Sequence, residues 1–217
     1  MPHQTNHSQQ SELFWLFCYD KDMEELLQSL RSFITDKASG PQFVHHKWFT
    51  KWHLEIVETL SKDLMGYYPD ADGATVIALA WMHDYGKIIN FDRQYDHTYI
   101  EQGRKEMIRL GFDESFATNI AESVKIFDKK EHLIDESIEI RIVSSADACS
   151  HLVGPFISLY WQENPDKPFE EIMAENVRKL SSEWDKKVTI PEAISAYVQL
   201  HNDAVFRASG EILRIRK

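Results

Sequence analysis

The chain has 217 residues, 43% of them hydrophobic, and 35 acidic side chains against 24 Lys and Arg give a net charge of -11. A field of that sign repels extended polyanions and argues against a large nucleic-acid footprint, although a bound cation and a few basic groups can reverse the potential inside one cleft and admit a small phosphorylated ligand. Two cysteines, Cys18 and Cys149, are too few for a disulfide framework and fit a reduced, cytoplasmic setting.

Residues 1–11 read as a frayed polar tail, because Met1 to Gln10 lacks the basic start and apolar core of a secretory signal. Glycine and proline are sparse, at 8 and 7, and no stretch alternates strictly, so residues 12–217 read as helices joined by short polar breaks. The expected class is all-α, a single compact multi-helix bundle. Asp20 to Ile34 repeats Met23, Leu26, Leu27, Leu30, Phe33 and Ile34 at three- and four-residue spacing and predicts an amphipathic helix. A second helix is predicted over Phe43 to Met65, stopped by Gly66 and Pro69, and a shorter one from a cap at Asp72 through Asp84, with Gly86 suited to the break after it. The longest apolar stretch, near Val76 to Met82, falls far short of the ~20 residues that span a bilayer. Further helices are predicted at about Asp96 to Leu110, Asp113 to Phe127, Ile134 to Leu152, Phe169 to Leu180 and Pro191 to Ile215. The only seam is Trp161 to Pro168, read as a loop, since the ~50 residues beyond it would make a marginal core of their own.

Several polar residues occupy apolar faces. His53 shares a stripe with Ile56, Val57, Leu60 and Leu64; a hydrogen-bonded core histidine is the commoner role of such a residue. His83 and Asp84 continue the wall of Val76, Ile77, Leu79 and Ala80, where an ionised carboxylate needs a cation or several donors; the bland alternative is a helix end with Asp84 in solvent. Asp147 lies among Ser144, Ser145, Ala146, Ala148 and Cys149, small neighbours that leave room for something charged, or a serine-bonded acid. His151 follows one turn later, facing substrate or simply packed. Together, three helices offer inward metal-capable groups, and two imidazoles with two carboxylates suit Mn²⁺, Fe²⁺, Co²⁺, Ni²⁺, Zn²⁺ or Mg²⁺ with positions left open for water and a substrate oxygen.

The order His53, then His83-Asp84-Tyr85-Gly86-Lys87, then Ser145-Ala146-Asp147-Ala148 resembles the HD-domain superfamily of metal-dependent phosphohydrolases over about residues 43 to 155, and His97 with Gly103 is similar to the segment that follows the pair in that family. The resemblance implies an all-helical fold, His53, His83, Asp84 and Asp147 as metal ligands, and phosphate esters or anhydrides as substrates. Two-metal members carry further histidines where this chain has Val124 to Lys130, with Asp128 or His132 as the alternatives, so one metal ion is expected. Gly86-Lys87 stands where the deoxynucleotidase-like and guanosine tetraphosphate hydrolase-like branches have an acid, and no Gly-Tyr-Pro element resembles the cyclic-di-GMP branch.

The expected chemistry is hydrolysis of a small nucleotide-like phosphate by metal-activated water. Asp84 would orient the water, Lys87 would offset phosphoryl charge, and His97 would protonate the leaving group. Arg93, Lys87 and His151 would contact substrate, Arg93 through a distal phosphate. Each has a plainer role: Lys87 as a solvated lysine, Arg93 as a partner of Asp92 or Asp96, and Asp96-His97 as a helix cap. Trp48, Trp52, Trp81 and Tyr85 either stack on a base or fill the core, with core favoured for Trp81; His45-His46 reads as surface. The alternative function is a regulatory HD fold that binds a nucleotide without turnover. A helical interaction module without metal is a third. Oligomeric state is not legible.

Overall fold

The fold is all-α: the computed structural model describes residues 21–45, 47–128 and 133–211, and no strand forms among them. The tail over 1–11, Cys18, His46, Lys129, Lys130, His132 and the final residues of the predicted C-terminal helix lie outside the described residues.

The first helix, α1 (Lys21–Ala38), buries Leu27, Leu30 and Ile34 of the expected stripe together with Ala38, while Met23, Leu26 and Phe33 are partly buried against the core. The predicted helix over Phe43 to Met65 begins later: the described residues from Phe43 to Trp48 are irregular or turns, the helical path starts at Phe49, Thr50–Leu54 is one π-helical turn, and α2 (Glu55–Met65) follows. Asp72 caps α3 (Gly73–Met82) by accepting from the Ala74 N–H at 3.1 Å. Every residue of α3 is buried, as a helix apolar on all sides must be. A short α4 (Tyr85–Ile89) comes next, then a 3₁₀ turn at Phe91–Arg93, α5 (His97–Leu110) and α6 (Glu114–Asp128).

The central helix is α7 (Ile138–Val153), buried from Ile142 through His151 and packed against α2, α3, α9 (Phe169–Lys187) and α10 (Pro191–Ser209). Two differences from expectation bear on function. Residues Phe156–Glu163, at the edge of the supposed loop, form a helix, α8, bent 71° from α7 across Gly154 and Pro155. Further on, α9 runs to Lys187 rather than stopping near Leu180, because Ser144 and Ser145 of α7 bond its last turn. Among the described residues no single helix is long and apolar enough to cross a membrane.

Burial, with the charge of nearby Asp147 adding to it, pushes the Cys149 thiol up to about 12. Native protein in a Cys18→Ser background is therefore expected to resist iodoacetamide at mildly alkaline pH and to react after unfolding; rapid labelling of the folded chain would contradict this enclosure.

Candidate metal centre

The four residues singled out by burial on apolar faces meet at one point. His53 comes from the π-helical turn that leads into α2, where a wider turn departs from the regular helical register. His83 and Asp84 close α3. On an unbroken helix consecutive side chains diverge by about 100°, yet His83 Nε2 stands 3.5 Å from Asp84 Oδ2. The break makes this possible: Asp84 leaves the helical path at φ -108°, ψ 14°, and α4 starts anew. Asp147 arrives from α7, and all four residues are buried.

The remaining distances are similar: His53 Nε2 is 3.3 Å from Asp84 Oδ2 and 3.6 Å from Asp147 Oδ1, and His83 Nε2 is 3.7 Å from Asp147 Oδ1. Four atoms each about 2.1 Å from a shared ion stand about 3.0 to 3.4 Å apart in right-angled or tetrahedral arrangements. The cluster is thus within a small contraction of a coordination shell.

The imidazoles are also oriented for coordination. Ser150 Oγ donates its single hydrogen to the Asp147 carbonyl at 2.7 Å, so the 3.2 Å contact with His53 Nδ1 has the ring nitrogen as donor. His83 Nδ1 donates to the Ala80 carbonyl at 2.9 Å. In the neutral rings both Nε2 atoms therefore carry lone pairs into the centre, the state a metal requires. His83 Nε2 is buried without a hydrogen-bond partner among the described residues, and its lone pair is of the kind that a cation takes.

Two lysines hold the carboxylates from outside. Lys87 Nζ lies 2.7 Å from each oxygen of Asp84, and Lys187 Nζ lies 2.6 Å from Asp147 Oδ2, leaving Oδ1 to face the histidines. Burial opposes ionisation of both acids, but Lys87 holds Asp84, and Lys187 holds Asp147, well below the usual carboxylate range. Lys187 owes its position to α7: Ser144 Oγ donates to the Lys187 carbonyl at 2.8 Å, and Ser145 Oγ accepts from Thr189 N at 3.1 Å. Lys187 was missed from the sequence, where Asp185-Lys186-Lys187 resembles any solvated helix end. The paired serines on an apolar face were the available signal.

The centre opens into a cavity of 660 Å³ lined by His53, Asp84, Lys87 and His151 on its floor and by Trp48, Phe91, Phe156 and Tyr160 on its walls. His151 stacks on His53 with ring centroids 5.3 Å apart and planes 7° apart, while its Nδ1 lies 2.7 Å from Glu183 Oε2. Together with His53 and Asp147 it forms a second group whose ligand atoms are close enough to share an ion. Glu163 of α8 accepts from Trp48 Nε1 at 2.6 Å and lies 2.6 Å from His45 Nδ1, tying α8 across the mouth. His45 thus faces the cleft instead of lying on open surface.

Of the other residues anticipated from sequence, Lys87 and His151 join the centre, whereas Arg93 and His97 are exposed and line neither this cavity nor the adjoining void. Arg93 pairs with Asp96, and Asp96 caps α5 by accepting from the Thr98 N–H at 2.9 Å, the plainer roles considered for both. Trp81 and Tyr85 are core, Trp52 is 43% exposed, and Trp48 alone of the four aromatics lines the cavity. Asp128 borders a void of 20 Å³ with His83 and Asp84, room for one water; burial and then the Asp84 charge push its carboxyl up to about 6.

Ion and proton compete for His83. Burial works against its imidazolium, but Asp84 and Asp147 outweigh burial and raise the pKa above the ordinary histidine value. A metal must displace that proton, so affinity is expected to fall as pH drops through neutrality, with His83 the first ligand lost. Mn²⁺ equilibrium dialysis between about pH 8 and about pH 5 reads this effect; constant affinity across the range would contradict it. Comparison with known protein families, curated proteins and solved structures finds no match for this chain.

Proposed function

We propose that the protein is a metal-dependent phosphohydrolase of HD type, acting on a small nucleotide-like phosphate with one divalent ion held by His53, His83, Asp84 and Asp147. The single observation that carries this reading is the convergence of two Nε2 lone pairs and two carboxylate oxygens, 3.3 to 3.7 Å apart, beside a cavity large enough for a nucleotide. The donor set suits Mn²⁺, Fe²⁺, Co²⁺, Ni²⁺, Zn²⁺ or Mg²⁺. Such an ion, when bound, supplies an activated water and polarises a phosphoryl oxygen.

The chain supplies the rest. Asp84 and Asp147 stay ionised at neutral pH because Lys87 and Lys187 hold them so, which keeps a negative pair ready for a cation. The ammonium of Lys87 also lines the cavity, where it offsets charge that grows on phosphoryl oxygens as the bond to the leaving oxygen breaks. His151 is the imidazole on the substrate side of His53. Trp48, Phe91, Phe156 and Tyr160 offer flat faces for a base.

The test is purified full-length protein, reconstituted separately with each divalent ion, against nucleotides, cyclic nucleotides and bis(p-nitrophenyl) phosphate. Release of product with at least one ion, abolished by chelation, is expected. No release with any ion, together with measurable nucleotide binding, would replace this reading with regulatory binding.

A further inference from the structure

Beside the aromatic cavity, and sharing Lys87, Tyr95, Tyr160 and Lys179 with it, lies a second cavity of 430 Å³ along α9. Its lining runs counter to the composition of the chain. In a protein of net charge -11, five cations, Lys87, Arg178, Lys179, Lys186 and Lys187, face it against the carboxylates of Glu175 and Glu183. The spacing of the α9 members, at 175, 178/179, 182/183 and 186/187, is that of one helical face, so the side is presented along the helix.

The two carboxylates are already engaged, and so are three of the five cations, Lys87 with Asp84, Lys187 with Asp147 and Lys179 with Glu183. Glu183 lies 2.7 Å from Lys179 and 2.7 Å from His151, and Glu175 lies 2.8 Å from Lys167. Arg178 and Lys186 form no ion pair with any described residue. A neutral donor is present as well: Asn176 lines the cavity at 2% exposure, and its Nδ2 has no partner among the described residues. Two cations outside any ion pair, lining the same cavity as a buried amide without an acceptor, form a place for anionic oxygen.

We infer that the cavity along α9 is a second anion subsite that takes a further phosphate group of the substrate, so that the ligand is a nucleotide carrying at least two phosphates. Calling that ligand a substrate rests on the phosphohydrolase reading; the anion subsite itself does not. One phosphoryl group would sit at the metal centre beside Lys87, the rest of the phosphate chain would follow α9 past Lys179 to Arg178 and Lys186, and the base would remain with Trp48 and Phe156. The shared wall of the two cavities allows one ligand to occupy both.

Calorimetric titration of the chelator-treated full chain with inorganic phosphate and inorganic tripolyphosphate tests the subsite without turnover or sequestration of metal by the probe. Tripolyphosphate is expected to bind at least about tenfold more tightly than phosphate, and the Arg178→Ser/Lys186→Ser double variant to reduce that preference to about threefold or less. Both replaced side chains are exposed, and a thermal melt matching wild type certifies the variant's fold. Equal binding of the two probes by wild type, or a preference undiminished in the folded variant, would overturn the subsite. Hydrolysis of bis(p-nitrophenyl) phosphate by metal-loaded wild type is scored separately: turnover without the preference removes the subsite alone, and the preference without turnover on any phosphate panel removes the hydrolase reading alone.

Discussion

Asp147→Asn is expected to lower divalent-ion affinity and phosphate hydrolysis by at least about a hundredfold, more than the loss of a residue that merely orients a ligand. The change keeps the shape of the side chain and removes its charge, so packing around Ala146 and Ala148 is preserved. It also exposes the double duty of this carboxylate. Asp147 Oδ2 is the partner of Lys187 at 2.6 Å, and without it the ammonium loses its strongest neighbour. A stability cost of about 1 to 3 kcal/mol follows, at the modest end for a buried pair. Lys187 retains 19% side-chain exposure and has Glu183 at 3.7 Å. Metal titration and thermal denaturation of the metal-free variant separate the two effects. A variant that binds metal normally would remove Asp147 from the coordinating set.

Gly86→Ala is expected to cost about 3 kcal/mol or more in stability, at the upper end for an overpacked site. A Cβ at this position would lie 2.2 Å from the Gln94 carbonyl oxygen, a backbone atom that cannot swing aside. Gly86 sits inside α4, between Tyr85 and Lys87, so relief of the clash must push α4 or the 90–96 segment away and carry Lys87 and Asp84 with it. Gly103→Ala is the natural control. Its Cβ would meet Met82 Cε at 2.6 Å, the end of a flexible side chain that can move, and Tyr85 Cδ1 at 3.0 Å, a ring atom that must give only by a few tenths of an ångström, so the expected loss is smaller. Urea denaturation of both variants gives the comparison, and an equal or larger loss at Gly103 would refute the assigned cause.

These two residues mark the limits of what the sequence discloses. Asp147, His53, His83 and Asp84 were legible because a polar group within an apolar period needs a reason, and convergence from three helices supplied one. Gly86 was visible as a glycine but was read as a helix break. The chain breaks instead at Asp84, and the missing side chain at Gly86 serves the close approach of Gln94, a contact between segments that no local pattern encodes.

The same reasoning separates Lys187 from Arg93. Arg93 is near the His-Asp pair in sequence and was a natural choice for substrate, yet its partner is Asp96 on its own turn. Lys187 is a hundred positions from the pair and reaches the centre because Ser144 and Ser145 hold the end of α9 against α7. The helix α8 escaped notice for a related reason. Its eight residues span only about two turns, and none is buried although Phe156, Ile157, Leu159, Tyr160 and Trp161 are apolar or aromatic; its Phe156, Tyr160 and Glu163 serve the cavity instead of the core.

A crystal structure of the full chain soaked in Mn²⁺, with anomalous scattering recorded at the manganese edge, shows which atoms hold the ion. A single strong peak is predicted among His53 Nε2, His83 Nε2, Asp84 Oδ2 and Asp147 Oδ1, about 2.1 Å from each. No anomalous peak among these atoms at saturating Mn²⁺, or a peak held by other residues, would remove these four side chains as a metal site.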